Sequence, residues 1–280
     1  MTDADSSTTN ADPSRDWAHI DSDSEAEEFV DVLDEAAARE VYIEVKLQRH
    51  ELLGLSPGDR VLDVGCGQGV DVRLLSSRVG PEGEVVGIDI SEKMLDAARE
   101  RTENTSNVRF ESGDVMDLSF ADETFDAVQA GRVLVHTDAP EQALSEMARV
   151  TRSGGRVGVT EPDLGSIIIE TPGGQSMDDL NPEHAVHKQP LLGRRLFRLA
   201  REAGWTDVDV DLNAEHVPNF EFAAQALMLE EWLGAMVSAG EIPRSEADEW
   251  LEGCRQASDE GLFFGAGMGF TVVGTVGGDE

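Results

Sequence analysis

The nine residues from Val61 to Gly69, VLDVGCGQG, constrain this chain more than any other stretch. Val61, Leu62 and Val64 form a short apolar, partly β-branched run suited to a strand buried inside a sheet. The run breaks at Gly65-Cys66-Gly67-Gln68-Gly69, after which Val70, Val72, Leu74 and Leu75 follow a helical pattern. A glycine-rich turn between strand and helix lets a ligand approach bare backbone where side chains would clash. Twenty residues beyond Gly69, a second apolar run, VVGID, ends in Asp89. An acid so placed accepts hydrogen bonds from two ribose hydroxyls. The whole arrangement predicts an α/β fold that holds a nucleoside.

Spacing separates one nucleoside from another. The dinucleotide fingerprint G-x-G-x-x-G uses its last glycine to pack a helix closely beneath a pyrophosphate. Here Gly65 and Gly67 fit, but Val70 occupies the third position and Gly69 comes one residue early. Asp63, two residues before Gly65 at the strand's carboxyl end, suits an ammonium group and would repel a pyrophosphate. S-Adenosylmethionine carries an ammonium, a ribose and an adenine, and has no phosphate. The D-x-G-x-G-x-G spacing favours it over a nicotinamide dinucleotide.

On these residues the chain resembles the class I S-adenosylmethionine-dependent methyltransferases. Among them it is similar to the small-molecule enzymes related to those of ubiquinone and menaquinone biosynthesis. The resemblance covers about Arg60 to Asp163. It implies a Rossmann-like, seven-stranded, mostly parallel methyltransferase sheet with the last strand antiparallel and helices on both faces. It also implies that Gly65, Cys66, Gly67 and Gly69 wrap the methionine part of the cofactor, with Asp63 near the amino group. GIDIS resembles the second motif, where Asp89 would hold the ribose and Ile90 would flank the adenine. In SGDVMDLSF, Asp114 would meet the adenine amino group, and Val115 or Met116 would pack on the ring. FDAVQAGRVLVHTDAP resembles the fourth strand with its loop, and ARVTRSGGRVGVTEPD the next helix, turn and fifth strand. Met94, Ala130 and Arg132 complete the cofactor set that the resemblance implies. Taken singly, two of the acids have plainer readings: Asp89 as the cap of a helix beginning near Ser91, and Asp114 as a turn residue after Gly113.

Charge narrows the partners. The 280 residues carry a formal net charge of −35, and lysine occurs only at positions 46, 93 and 188. Acid excess with scarce lysine resembles proteins of a salt-loaded, halophilic cytoplasm, in which a carboxylate-rich surface stays hydrated. No basic stripe exists to neutralise phosphates, which argues against nucleic acid. No apolar run is long enough to cross a bilayer and no signal-peptide core opens the chain, so a cytoplasmic protein without membrane partners is expected. Cys66 and Cys254 lie in unrelated segments without neighbours at metal-ligand spacing, so neither a disulfide nor a metal is expected. A monomer or homodimer is the expected assembly.

Along the chain, residues 1–25 read as an acidic disordered tail and 26–57 as an N-terminal helical lid. The resemblance implies that residues 58–280 form the methyltransferase domain. Within it, strands are expected at 108–111, 156–160, 208–212 and 270–276, and loops over most of 161–190. A helix is expected at 191–203, and two more at 220–238 and 244–258, inside an insertion spanning about 214–262 that would roof a substrate pocket.

Methyl transfer from a sulfonium is an in-line displacement, so the protein mainly aligns the acceptor and excludes water. An oxygen or nitrogen acceptor must also lose a proton to a nearby base. His136, after the Arg132-Val133-Leu134 segment, is the first candidate; Asp163 and Glu161, at the end of the fifth strand, are the second. His184, His187 and His216 lie in less defined segments and rank lower. After the fourth strand stands Gln129-Ala130-Gly131-Arg132 instead of the Asn- or Asp-Pro-Pro-aromatic segment of amino-methylating DNA enzymes. Neither cysteine suits nucleophilic attack on cytosine. These absences and the charge point to a small organic acceptor of quinone-like or secondary-metabolite type. Two other classes are weighed beside it: a non-catalytic, regulatory S-adenosylmethionine-binding protein and an NAD-linked oxidoreductase.

Overall fold

The computed structural model describes residues 40–170, 180–217 and 219–277. The expected acidic tail, and the part of the expected lid before residue 40, lie outside these residues. The described residues begin with α1 (Glu40–Leu52), then β1 (Arg60–Val64), α2 (Val70–Val79), β2 (Glu84–Asp89), α3 (Glu92–Arg101) and β3 (Val108–Ser112). It continues with β4 (Phe125–Gly131), α4 (Pro140–Val150), β5 (Thr151–Glu170), α5 (Leu196–Glu202) and β6 (Trp205–Val217). Three helices, α6 (Phe220–Leu227), α7 (Leu229–Ala239) and α8 (Arg244–Asp259), precede the last strand, β7 (Phe264–Val276).

The seven strands form one sheet in the order β3-β2-β1-β4-β5-β7-β6, parallel except for β7, which runs antiparallel to both neighbours. The chain winds outward from β1 to β3, then returns to place β4 on the other side of β1. That reversal opens a crevice at the carboxyl ends of β1 and β4, where open α/β sheets bind ligands. Period-two alternation along the strands feeds both faces. Leu62, Val64, Val86, Ile88 and Val128 pack with Ala143, Leu144, Met147 and Val150 of α4. Val61, Val85 and Ala127 pack on the opposite face with Val72, Leu75 and Val79 of α2. A separate core around Trp232, Leu233, Trp250, Cys254 and Phe263 holds α6 to α8 together.

Three strands run longer than periodicity predicts. β5 covers 151–170 instead of 156–160, β6 covers 205–217 instead of 208–212, and β7 covers 264–276 instead of 270–276. Their carboxyl- and amino-terminal halves pair beyond the sheet proper, Ile169 with Gly265 and Val217 with Gly265. The glycines of β7 and Pro162 of β5 hide this extension in the sequence, since both residue types ordinarily mark strand ends. The predicted loop over 161–190 is therefore strand as far as Glu170. Met228, at φ 52°, breaks the expected 220–238 helix into α6 and α7. The helix predicted over 191–203 is a 3₁₀ turn, Gly193–Arg195, leading into the shorter α5.

Gly87, mid-strand in β2, has no room for a methyl group: a Cβ there would lie 2.8 Å from the Phe110 ring and 2.9 Å from Cys66 Sγ. Gly87→Ala overpacks the floor beneath the glycine turn. It is expected to lower stability by about 1–3 kcal/mol in chemical denaturation, and an unchanged midpoint would show that the floor is looser than this packing.

Candidate active site

The glycine turn leaves β1 at its carboxyl end and is held open by backbone geometry. Gly65, Gly67 and Gly69 all have positive φ (65°, 49° and 77°), which L-side chains adopt only under strain. Their surroundings assign them different tasks. A Cβ at Gly67 would meet nothing within 4 Å and would project into the cavity. At Gly65 it would overlap the Val133 side chain, and at Gly69 it would sit 3.0 Å from Ala98 Cβ. Gly67 is thus the point of ligand approach, Gly65 gives way to the loop after β4, and Gly69 packs α2 against α3. Cys66 lies buried under the turn, and burial, with Asp63 and Asp89 nearby, pushes its thiol well up.

Asp89 ends β2 and links two motifs. Its Oδ2 accepts the Gly67 N–H at 2.9 Å and its Oδ1 the Ser91 N–H at 2.9 Å. The helix cap is Ser91, whose side chain accepts the Met94 N–H; Asp89 is a neighbour of that cap. Each carboxylate oxygen has a second lone pair, and Asp89 lines the cavity. Ile90 beside it is 45% exposed at the cavity edge, an apolar surface suited to an aromatic base, with Met94, Val115 and Met116 on the same wall. Asp114 also lines the wall and accepts the Met116 N–H at 2.8 Å, so it is both a turn residue and a ligand candidate. Ala130 is wholly buried within β4 and does not reach the cavity, which corrects the expectation for that residue.

Asp63, at the tip of β1, is 2% exposed. Its Oδ1 accepts Gln129 Nε2–H at 3.0 Å, and its Oδ2 is buried without a partner among the described residues. Gln129 is held by Arg49 Nε–H at 3.0 Å, and Arg49 reaches Asp71 at 3.0 Å. Lys46 and His50 of α1 complete the grip on Asp71. Burial would raise the Asp71 carboxyl, but Lys46, Arg49 and His50 outweigh it and hold it well below its usual range. Asp63 has no such company. Burial, then the neighbouring Asp71 charge, push it up to about 7 against the pull of Arg49 and Gln129. A buried carboxylate with one empty oxygen fits an ammonium group, and the open side of Gly67 with the Asp89 acid fits the rest of an amino-acid nucleoside.

Arg132, just beyond β4, occupies φ 61° and faces the cavity. Its guanidinium lies 4.2 Å over the Tyr42 ring and donates to both Glu215 oxygens, at 2.9 and 2.7 Å. It therefore joins α1, the loop after β4, and β6. The same loop hangs on Glu161, wholly buried, which accepts the N–H groups of Val133, Leu134 and Val135. Burial pushes Glu161 up to about 7 against those three donors. It does not line the cavity; its part is to shape the turn that carries His136. Asp163 is likewise corrected as a candidate base. It is 1% exposed, outside the cavity wall, and locked by the side chain and backbone of Arg194. His136 does line the cavity, with His187 at 5.0 Å between ring centroids. Burial, then His187, Arg132 and Lys188, keep His136 far below its usual value, and burial with Arg132 brings His187 down to about 4. Both imidazoles are neutral at physiological pH.

Arg49, Asp71, Gln129, Tyr42 and Glu215 went unread as site residues in the sequence, and His187, ranked low there, lines the cavity. The signal for the first group lay in α1: Tyr42, Val45, Lys46 and Arg49 share one helix face, a face on which a lysine and an arginine interrupt an apolar stripe.

Asp63 gives this site a pH signature. An ammonium-bearing ligand binds the ionised carboxylate, so affinity should be full above pH 7 and fall as pH drops through about 7, by up to about tenfold per unit. Calorimetric titration with S-adenosylhomocysteine between pH 5.5 and 8.5 (about three units) tests this. Gln129→Leu removes a hydrogen bond that favours the charged form and should move the midpoint upward; an unmoved midpoint would detach Gln129 from Asp63.

Comparison with known proteins follows the same lines. Residues 55–211 match the family described as Methyltransferase domain. An uncharacterised 37.1 kDa protein in transposon TN4556 of Streptomyces fradiae is 35% identical, the match covering 87% of this chain and 70% of that one. Demethylmenaquinone methyltransferase of Staphylococcus aureus is 45% identical over a shorter stretch, 38% of this chain and 44% of that protein. Among solved structures, Haemonchus contortus phosphoethanolamine N-methyltransferase 2 in complex with S-adenosyl-L-methionine shares the fold. It has a TM-score of 0.53 and 19% identity, and the match covers 89% of this chain and 60% of that one.

Proposed function

Because the chain belongs to the class I S-adenosylmethionine-dependent methyltransferase family, we propose that it methylates a small organic acceptor held beneath α6. One observation carries the reading. A single cavity of about 590 Å³ runs from the glycine turn and Asp89 to an apolar chamber walled by Leu164, Ile167, Phe222 and Leu227. It has space for a nucleoside at the strand tips and for a second molecule under the helices. A quinone-like or secondary-metabolite acceptor suits that chamber, and the staphylococcal demethylmenaquinone relative supports the quinone-like choice.

When bound, S-adenosylmethionine supplies a methyl group already activated on a sulfonium. The residues of this chain supply position. Asp63 would pair with the amino group, Asp89 would accept from the ribose hydroxyls, and Ile90, Met94 and Val115 would cover the adenine. Arg132, pinned by Tyr42 and Glu215, stands between the two halves of the cavity. His136 takes the acceptor's proton, and the roof keeps bulk water from the reacting atoms.

Asp89→Ala should weaken S-adenosylhomocysteine binding by roughly 1.5–3 kcal/mol, the scale of hydrogen bonds to a charged group. Unchanged affinity by calorimetry would remove Asp89 from the ribose. Incubation with methyl-labelled S-adenosylmethionine and a metabolite extract should label a small organic product, with His136→Ala slowing turnover about 10²-fold or more while cofactor affinity is preserved. Full turnover in that variant would exclude His136 as the base.

A further inference from the structure

The sheet ends in two unlike edges, β3 and β6. β3 is five residues long, and its Arg109 pairs with Glu84 at 2.7 Å and with Glu111. Short length and paired charges guard an open strand edge against further pairing. β6 is thirteen residues long and has no neighbour on its outer side among the described residues. Its register with β7 slips between Thr206 and Asp209, then runs unbroken from Asp209 to Val217. That stretch offers a second strand a row of backbone donors and acceptors about 30 Å long.

Alternation gives the stretch two faces. Glu215 and Val217 line the cavity. Val210, Leu212, Ala214 and His216 fall on the opposite face, and all four are exposed. The apolar surface there is wider than one strand. Ile168 and Ala266 share a row with His216, the Phe264 ring lies 5.6 Å from the His216 ring, and α5, which packs on Val272 of the same face, carries Phe197. Leu212 is 54% exposed and Ile168 57%, and Val210, Phe197 and Phe264 are exposed with them. In a chain of net charge −35, apolar side chains gathered on one face mark an interaction surface.

We propose that a second copy of this chain covers it, the two β6 strands pairing antiparallel about a two-fold axis so that both sheets become one. Charge selects this occupant. Pairing the whole unbroken stretch sets its midpoint, Asn213, opposite Asn213 of the second copy. Leu212 then faces Ala214, Val210 faces His216, Asp209 faces Val217 and Asp211 faces Glu215. The outer face therefore joins apolar to apolar. The one like-charge pairing, Asp211 with Glu215, falls where Arg132 holds both Glu215 oxygens at 2.9 and 2.7 Å. Asp209 is answered inside its own copy by Arg156 at 3.5 Å. Each strand is thus a complement for itself, as a two-fold interface requires. Pairing also turns the strand that carries Glu215, and through it Arg132, from an edge into an interior strand. Two copies of charge −35 repel at long range, and salt screens that repulsion. The dimer tightens as salt rises.

Sedimentation equilibrium of the full-length protein tests the pairing. The dissociation constant of the wild-type dimer should fall about tenfold or more between about 0.1 M and about 2 M potassium chloride. Leu212→Asp puts a charge into the joined apolar face and should leave a monomer at both salt concentrations. Asp211→Asn removes the like-charge pairing and should give dimer at lower salt than the wild type needs. Under mild oxidation Asn213→Cys should form a disulfide-linked dimer, since directly opposed residues have Cβ atoms about 4.5–5.5 Å apart. Val210→Cys, about 20 Å from its own counterpart in this register, should not. The native Cys66 and Cys254 are buried. All four variants should keep wild-type affinity for S-adenosylhomocysteine, which shows that they fold. A wild type monomeric in both salts, a dimer retained in Leu212→Asp, an unchanged salt requirement in Asp211→Asn, or cross-linking at Val210→Cys in place of Asn213→Cys would each overturn the proposal.

Discussion

The fold converges on a buried carboxylate whose charge is only half answered. Asp63 at the end of β1 is surrounded by protein, yet one of its oxygens has no donor among the described residues. Burying a carboxylate in this way is expensive, and the chain meets the cost with a connected network. Gln129 on β4 donates to Asp63, Arg49 on α1 donates to Gln129, and Asp71 on α2 receives Arg49. Asp71 is over-supplied with cations, whereas Asp63 is under-supplied. That asymmetry stores attraction for a positive group at one point, beside the open face of Gly67. The same network fastens α1 across the strand tips, so the helix that covers the cavity is held by the residues that tune it.

The second half of the cavity depends on a different device. In a minimal sheet, β5 and β7 would end near the strand tips. Here they continue with β6 as an antiparallel extension, Ile169 and Val217 both pairing with Gly265. The register of β5 slips between Asp163 and Ile168, and that slip places Leu164 and Ile167 at the cavity wall. Asp163 falls on the other side of the slip and is consumed by Arg194. The bulge that builds the apolar chamber thus leaves Asp163 outside it. Glu161, two residues earlier on the same strand, does related work by fixing three successive N–H groups of the loop that presents His136.

The parallel half of the fold was legible because local pattern and tertiary role coincide there. Val61-Leu62-Asp63-Val64 reads as a buried strand and is one, and the glycine turn and Asp89 sit where their spacing puts them. The antiparallel half was read too short. Gly265, Gly267 and Gly269 suppress the alternation that marks a strand, and Pro162 imitates a strand end. Site residues divide in the same way. Those carried by motifs reach the cavity, except Ala130 and Gly69, which face core and helix respectively. Contacts made by long-range pairing left no local trace: Arg49 and Gln129 are eighty positions apart, and nothing near either residue announces the other. His187 follows the 3₁₀ turn Pro182–His184, and the Gln189 N–H, donating to Val135 O at 3.0 Å, ties its segment to the one that carries His136.

The distribution of charge bears on turnover. Of the three lysines in a chain of net charge −35, Lys46 and Lys188 line the cavity, with Arg49 and Arg132 beside them. The chain is strongly negative as a whole, while the cavity sets four cations against six carboxylates. A methyl donor with a sulfonium carries one more positive charge than the thioether left after transfer. The outer field therefore concentrates the donor near the entrance and has no hold on the spent form. That preference is long-range and shrinks with ionic strength: the Debye length is about 10 Å at 0.1 M and about 3 Å at 1 M. In molar salt it vanishes, and discrimination between donor and product falls to groups that touch the ligand. In the proposed binding mode Asp63 would face the same amino group in both forms and would not discriminate. In the proposed binding mode the sulfonium would lie between the glycine turn and the neutral imidazoles, and the contrast would arise there, since uncharged imidazoles leave an approaching cation unopposed.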